Sequence, residues 1–103
     1  QQLLVYGLSN TPLLVDDSLV QAYRKGTQTE HDATEEEFAM IKSLMISTIE
    51  NTKLDYEKGA FKNFSPYTTS LNVTLTSVEE ALSFNTFHEG IHLGYILAMK
   101  NSL

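Results

Sequence analysis

At 103 residues, with 42 % hydrophobic and 19 % charged residues, the chain has the size and composition of one small globular domain. A net charge of −6 and a pI near 4.8 argue against a nucleic-acid backbone or an anionic membrane as partner, because both require clustered Lys and Arg. The lack of cysteine excludes a disulfide framework and thiolate metal sites, so a transition-metal site must draw on His, Asp or Glu. No apolar run is long enough for a membrane span and no charged-then-apolar leader opens the chain, so an intracellular, cytoplasmic protein is expected.

Residues 1–8 read as the end of a helix, with Leu3, Leu4 and Leu8 inward. No Met and no capping residue precede them, so the chain is expected to begin partway through a helix, as a piece of a longer protein. Ser9-Asn10-Thr11-Pro12 stops this helix, since the residue before a proline avoids the α region. Asp16 or Asp17 then caps a short helix running to about Arg24. Lys25 suits its negative end and Gly26 the left-handed closing position. Residues 26–33 are polar and read as a loop.

Thr34-x-x-Glu37 is a capping box, and Glu35 and Glu36 add negative charge to the positive end of the helix it opens. The positions Phe38, Ile41, Met45, Thr48, Ile49, Thr52 and Tyr56 follow the helical period, and Gly59 closes an amphipathic helix of about 22–25 residues. Residues 60–75 are irregular. Phe61, Phe64 and Tyr67 around Pro66 suggest a connection that packs on the helices, and residues 70–75 read as extended loop for want of a partner strand.

Thr76-x-x-Glu79 and Ser77-x-x-Glu80 are alternative capping boxes for a last helix over residues 76–101. Ala81, Phe84, His88, Ile91, His92, Tyr95 and Met99 share its main face, while Leu82, Leu93 and Leu97 lie elsewhere. A helix that is apolar on nearly all sides is covered on more than one, so a further helix or a second subunit is expected against it. Gly94, in mid-helix, is best explained by the close approach of a neighbour.

His88 and His92, four residues apart, lie one above the other on that main face. Both imidazoles can therefore point at one divalent ion, with ligand nitrogens about 2.0–2.1 Å from it. The competing reading is a pair of hydrogen-bonded boundary histidines. His88-Glu89-Gly90-Ile91-His92 also matches H-E-x-x-H, the zinc-peptidase signature in which the Glu is the general base. Against that, few residues remain after His92 for a downstream glutamate ligand, and Tyr95 and Ala98 stand where the extended signature wants Gly and His. Glu89 projects about 100° from His88 around the helix and reads as a surface carboxylate. His31, beside Glu30 and Asp32, is a weaker third-ligand candidate because it lies in a loop, and Glu35–Glu37 serve the helix end.

The run Phe87-His88-Glu89-Gly90-Ile91-His92-Leu93-Gly94-Tyr95-Ile96 resembles the last helix of the DinB-like (YfiT-like) metalloenzyme family. The family pattern H-x-x-x-H-x-G-x-I is met by His88, His92, Gly94 and Ile96. The order of the upstream segments is similar as well, although only the final helix is specific. The resemblance implies an all-α, four-helix bundle with up-down-down-up connections, here reduced to about three helices within one domain. It implies a divalent metal, zinc or nickel most often, held by three histidines, two of which map onto His88 and His92. The third would fall a few residues before Gln1, on the family's second helix, so that the first helix and part of the second would be missing. Family sites often carry Gln where this chain has Tyr95. Some relatives transfer low-molecular-weight thiols or hydrolyse small substrates, and many form homodimers.

Two ligands bind weakly unless a symmetry mate, solvent or His31 completes the shell, and an incomplete bundle would expose an apolar groove that favours self-association. The expected function is thus a DinB-like divalent-metal-binding bundle, a possible metal-dependent hydrolase or thiol transferase acting on a small molecule and forming a homodimer. The rivals are a non-enzymatic helical dimerisation module with structural histidines and, third, an HExxH zinc peptidase.

Overall fold

Side chains three residues into each long helix decide where it starts. The Thr34 hydroxyl accepts the Glu37 N–H at 3.1 Å, and the Glu37 carboxylate accepts the Thr34 N–H at 2.9 Å. This reciprocal box satisfies two backbone donors that the first turn leaves without helical partners. Of the two boxes offered at the last helix, the second caps it. The Ser77 hydroxyl accepts the Glu80 N–H at 3.2 Å, while the Glu80 carboxylate takes the Thr76 N–H at 2.6 Å and the Thr76 hydroxyl at 3.0 Å. Thr34→Ala is expected to lower stability by about 0.5–2 kcal/mol, read as a lower urea midpoint with an unchanged slope.

The computed structural model describes residues 1–28 and 30–103 and is mostly helical. A π-helix spans Gln2–Gly7. It is followed by α1 (Asp17–Tyr23), α2 (Glu35–Glu57), the strands β1 (Tyr67–Thr68) and β2 (Thr74–Leu75), and α3 (Val78–Ser102). Gly59 at φ 72° takes the left-handed closing position after α2, whereas α1 ends in an extended Arg24 and Gly26, at φ 93°, lies in the turn that the Thr27 N–H closes on the Arg24 carbonyl at 3.2 Å; a Cβ would be strained at both glycines. No helix among the described residues is long and apolar enough to cross a membrane. The chain divides into two compact units, Gln1–Pro12 with Phe61–Leu103, and Leu13–Ala60.

The first unit has its core where the π-helix meets α3. Val5, Tyr6, Leu75, Val78 and Ala81 are buried, and the Tyr6 ring meets Phe61 edge-on with centroids 5.0 Å apart. Phe61 of the aromatic connection therefore packs on the opening helix, Phe64 is half-buried and Tyr67 is exposed, and the Ser65 N–H donates to the Leu8 carbonyl at 2.7 Å. The inward residues of the opening helix differ from the expected Leu3, Leu4 and Leu8: Leu3 is exposed, while Val5 and Tyr6 are buried. The cause is the wider π turn, seen where the Leu8 N–H reaches back to the Leu3 carbonyl at 3.2 Å, which rotates the inward face relative to an α-helix.

Residues 67–75 form a hairpin rather than an extended loop. The partner that residues 70–75 were expected to lack is Tyr67–Thr68, with Tyr67 opposite Leu75 and Thr68 opposite Thr74. Asn72 closes the turn at φ 61°, the Thr69 N–H donates to the Val73 carbonyl at 2.8 Å, and the two Thr hydroxyls bond across the strands at 3.0 Å.

In the second unit α1 and α2 flank an apolar cleft of about 350 Å³ whose lining includes Leu19, Tyr23, Ile41, Leu44 and Met45. Of the face predicted for α2, only Thr48 and Thr52 are buried, and their hydroxyls donate to the Leu44 and Thr48 carbonyls at 2.6 Å. These i−4 bonds let a polar side chain be buried without an unmet donor. Phe38 and Ile49, at 67 % and 65 %, are largely exposed.

Candidate metal centre

α3 carries the candidate ligands. Its inward stripe begins with Val78 and Ala81, both buried, and continues through the half-buried Phe84 to His88, Ile91 and His92. Burial fades along this line: Ile91 is half-buried, and His88, His92 and every residue after them are exposed. His88 and His92 fall on the same side of α3 as the buried Val78 and Ala81, but their rings are exposed to solvent and not inward as expected.

Their geometry is convergent. The His88 Nε2 and His92 Nε2 atoms are 3.2 Å apart, and the ring centroids 4.6 Å, with planes inclined at 58°. One nitrogen donates and the other accepts, so each imidazole has the other as its partner. The Phe84 ring lies one turn back, its centroid 6.1 Å from that of His88.

The same spacing fits a shared cation. Two nitrogens 3.2 Å apart, each about 2.0–2.1 Å from one ion, subtend about 100–106°, near the tetrahedral angle that zinc prefers. Replacing the shared proton by a metal would therefore require little movement of either ring. Among the described residues no group of three or more His, Cys, Asp and Glu side chains is gathered for a metal, so the pair offers two donors.

Glu89 is exposed. Tyr95, one turn beyond His92, is exposed. A Cβ built at Gly94 meets nothing within 4 Å, so no neighbour among the described residues explains this glycine. Gly94→Ala is expected to raise stability by about 0.4–1 kcal/mol, checked by urea unfolding, since alanine in a helix restricts the unfolded chain at no steric penalty.

His31 belongs to the second unit. Its Nδ1–H donates to the Asp32 carbonyl at 2.9 Å and lies 4.0 Å from the Glu37 carboxylate. The carbonyl bond first, and then the Glu37 charge, raise the pKa of this imidazole above its ordinary value of 6.5. The Thr34 N–H does most to lower that of Glu37, with His31 and the Tyr23 hydroxyl adding to it. The contribution of His31 to stability is thus fully present below its unfolded value and is lost as pH rises through the raised one. That of Glu37 is present above its unfolded value and is lost as pH falls through the lowered one. An NMR titration should place the His31 midpoint higher in the folded chain than in urea. Glu37→Gln should remove part of the rise and leave the part due to Asp32. Equal midpoints in folded and unfolded chain would show that neither contact is made in solution.

The two histidines were legible from spacing alone, and among the described residues the fold gathers no group of three or more metal-ligating side chains. Comparison of the chain with protein-family models, with curated proteins and with solved structures finds no match.

Proposed function

We propose that this chain is a divalent-metal-binding helical protein of the DinB-like type, with His88 and His92 as ligands and a four-helix bundle as the architecture to which its helices belong. The observation that carries the reading is the 3.2 Å convergence of the two Nε2 atoms on one face of α3. Zinc or nickel is the cation the family resemblance implies, and imidazole nitrogen suits both. When bound, such a cation supplies Lewis-acid chemistry suited to hydrolysis or group transfer on a small molecule. The chain's own part is to hold the two rings in register through one turn of α3, which needs no loop closure and no backbone strain.

Zinc added to the folded chain should shift the imidazole NMR resonances of His88 and His92 together, at one stoichiometry, and leave those of His31 in place. If the two rings respond at different zinc concentrations, or not at all, the shared-cation reading fails.

A second reading is a helical interaction module in which the histidines are only each other's hydrogen-bond partners. The exposure of Phe87, Leu93, Tyr95, Ile96, Leu97 and Met99 along α3 favours it. It predicts association that is indifferent to metal and to chelator.

A further inference from the structure

A histidine binds a metal best when its ring is already aimed, and the aim is set by what the ring rests against. α3 supplies such a rest for one of its two histidines. Side chains on a helix lean toward its N-terminus and cover the turn before their own, so His92 lies over the turn of His88, and His88 over the turn of Phe84. The ring geometry follows this order. The Phe84 and His88 centroids are 6.1 Å apart with planes inclined at 33°, and those of His88 and His92 are 4.6 Å apart. Phe84 in turn is half-buried and stands one turn beyond the buried Ala81. A line of side chains therefore runs outward from the first unit's core through Ala81, Phe84, His88 and His92, with the candidate ligands at its open end.

Phe84 suits this place for a chemical reason. Aromatic rings at this separation attract each other beyond mere burial. An apolar ring has no donor or acceptor, so it restrains the imidazole without engaging either nitrogen. The Nε2 of His88 stays turned to that of His92, 3.2 Å away, and Nδ1 stays free to carry the proton that a metal-bound neutral imidazole keeps. Without such a neighbour an exposed imidazole divides its time among several rotamers and ring orientations, few of which turn Nε2 toward His92. Phe87 offers the contrast. It is next to His88 in the chain, but its ring meets Phe84 at 6.0 Å and is 55 % exposed.

Resting on the metal-binding reading above, we propose that Phe84 is a positioning residue of the candidate metal centre: its ring holds the His88 imidazole with Nε2 turned toward His92, so that the pair converges before the ion arrives. The device lies within about two turns of one helix. It takes up none of the ion's remaining positions, which stay open to water, substrate or a further ligand from any part of the protein.

The test is zinc titration calorimetry, with imidazole NMR on the metal-free chain, for the parent and for Phe84→Leu, Phe84→Tyr and Phe87→Leu. Leucine keeps apolar bulk and helix propensity but removes the ring, so circular dichroism should stay helical. Phe84→Leu is expected to weaken zinc binding about three- to tenfold, the worth of one aromatic pair. It should also move the His88 ring resonances in the absence of metal while those of His31 stay in place. Phe84→Tyr, which keeps the ring, should recover both. Phe87→Leu should leave the affinity within about twofold of the parent's. A Phe84 that only supports the fold would lower the urea midpoint of Phe84→Leu without moving zinc affinity or the His88 resonances. That result overturns this inference and leaves metal binding by the two histidines standing, and so do equal losses of affinity in Phe84→Leu and Phe87→Leu. A parent chain that binds no zinc overturns the metal-binding reading itself, and this inference with it.

Discussion

Removing one imidazole from α3 should lower zinc affinity by about a hundredfold or more. Groups that only orient a metal ligand are worth about ten- to a hundredfold, and a ligand itself is worth more. His88→Ala and His92→Ala should have similar effects, because each leaves a single nitrogen where two had converged at 3.2 Å. The double variant should lose little beyond either single one, since the chelate has already been broken. That non-additivity separates a shared ion from two independent weak sites, for which the losses would add. Both side chains are exposed, so neither substitution should unsettle the fold, and a loss of affinity can be read as loss of a ligand. Isothermal titration with zinc and with nickel checks all three variants against the parent chain. Unchanged affinity in either single variant would remove that histidine from the site.

Local chemistry was legible in the sequence because its partners lie three or four residues apart. The Thr34–Glu37 box, the Ser77 cap on the Glu80 N–H, the left-handed Gly59 and the His88–His92 pair all follow from local sequence. At the opening segment the apolar pattern indicated a helix but not its pitch. The π turn, set by the bond from the Leu8 N–H to the Leu3 carbonyl, buries Val5 and Tyr6 in place of Leu3. The hairpin was missed because each strand has only two residues, too few for an alternating pattern to register. Asn72 in a threonine-rich stretch was the signal that could have found it, as asparagine tolerates the left-handed region. Periodicity also overstates burial. It marks Phe38, Met45 and Ile49 as inward on α2, but whether an apolar face is covered depends on what packs on it, and these side chains are exposed.

That last distinction gives the second large effect. Tyr6→Ala should destabilise the chain by about 3–5 kcal/mol, the range for deleting a buried aromatic ring, because Tyr6 is 1 % exposed and its ring meets Phe61 edge-on. Collapse around the void is hindered because Val5 and Ala81 are fully buried in the same unit's core, and the Ser65–Leu8 bond ties the connection that carries Phe61 to the end of the π-helix. Phe38→Ala removes a ring of similar size from α2, yet it should change stability by no more than about 0.5 kcal/mol, because that ring stands largely in water. Urea unfolding of both variants, followed by far-ultraviolet circular dichroism, decides the matter. A Phe38→Ala loss as large as that of Tyr6→Ala would mean that the α2 face is covered in solution, by a partner or by another part of the protein.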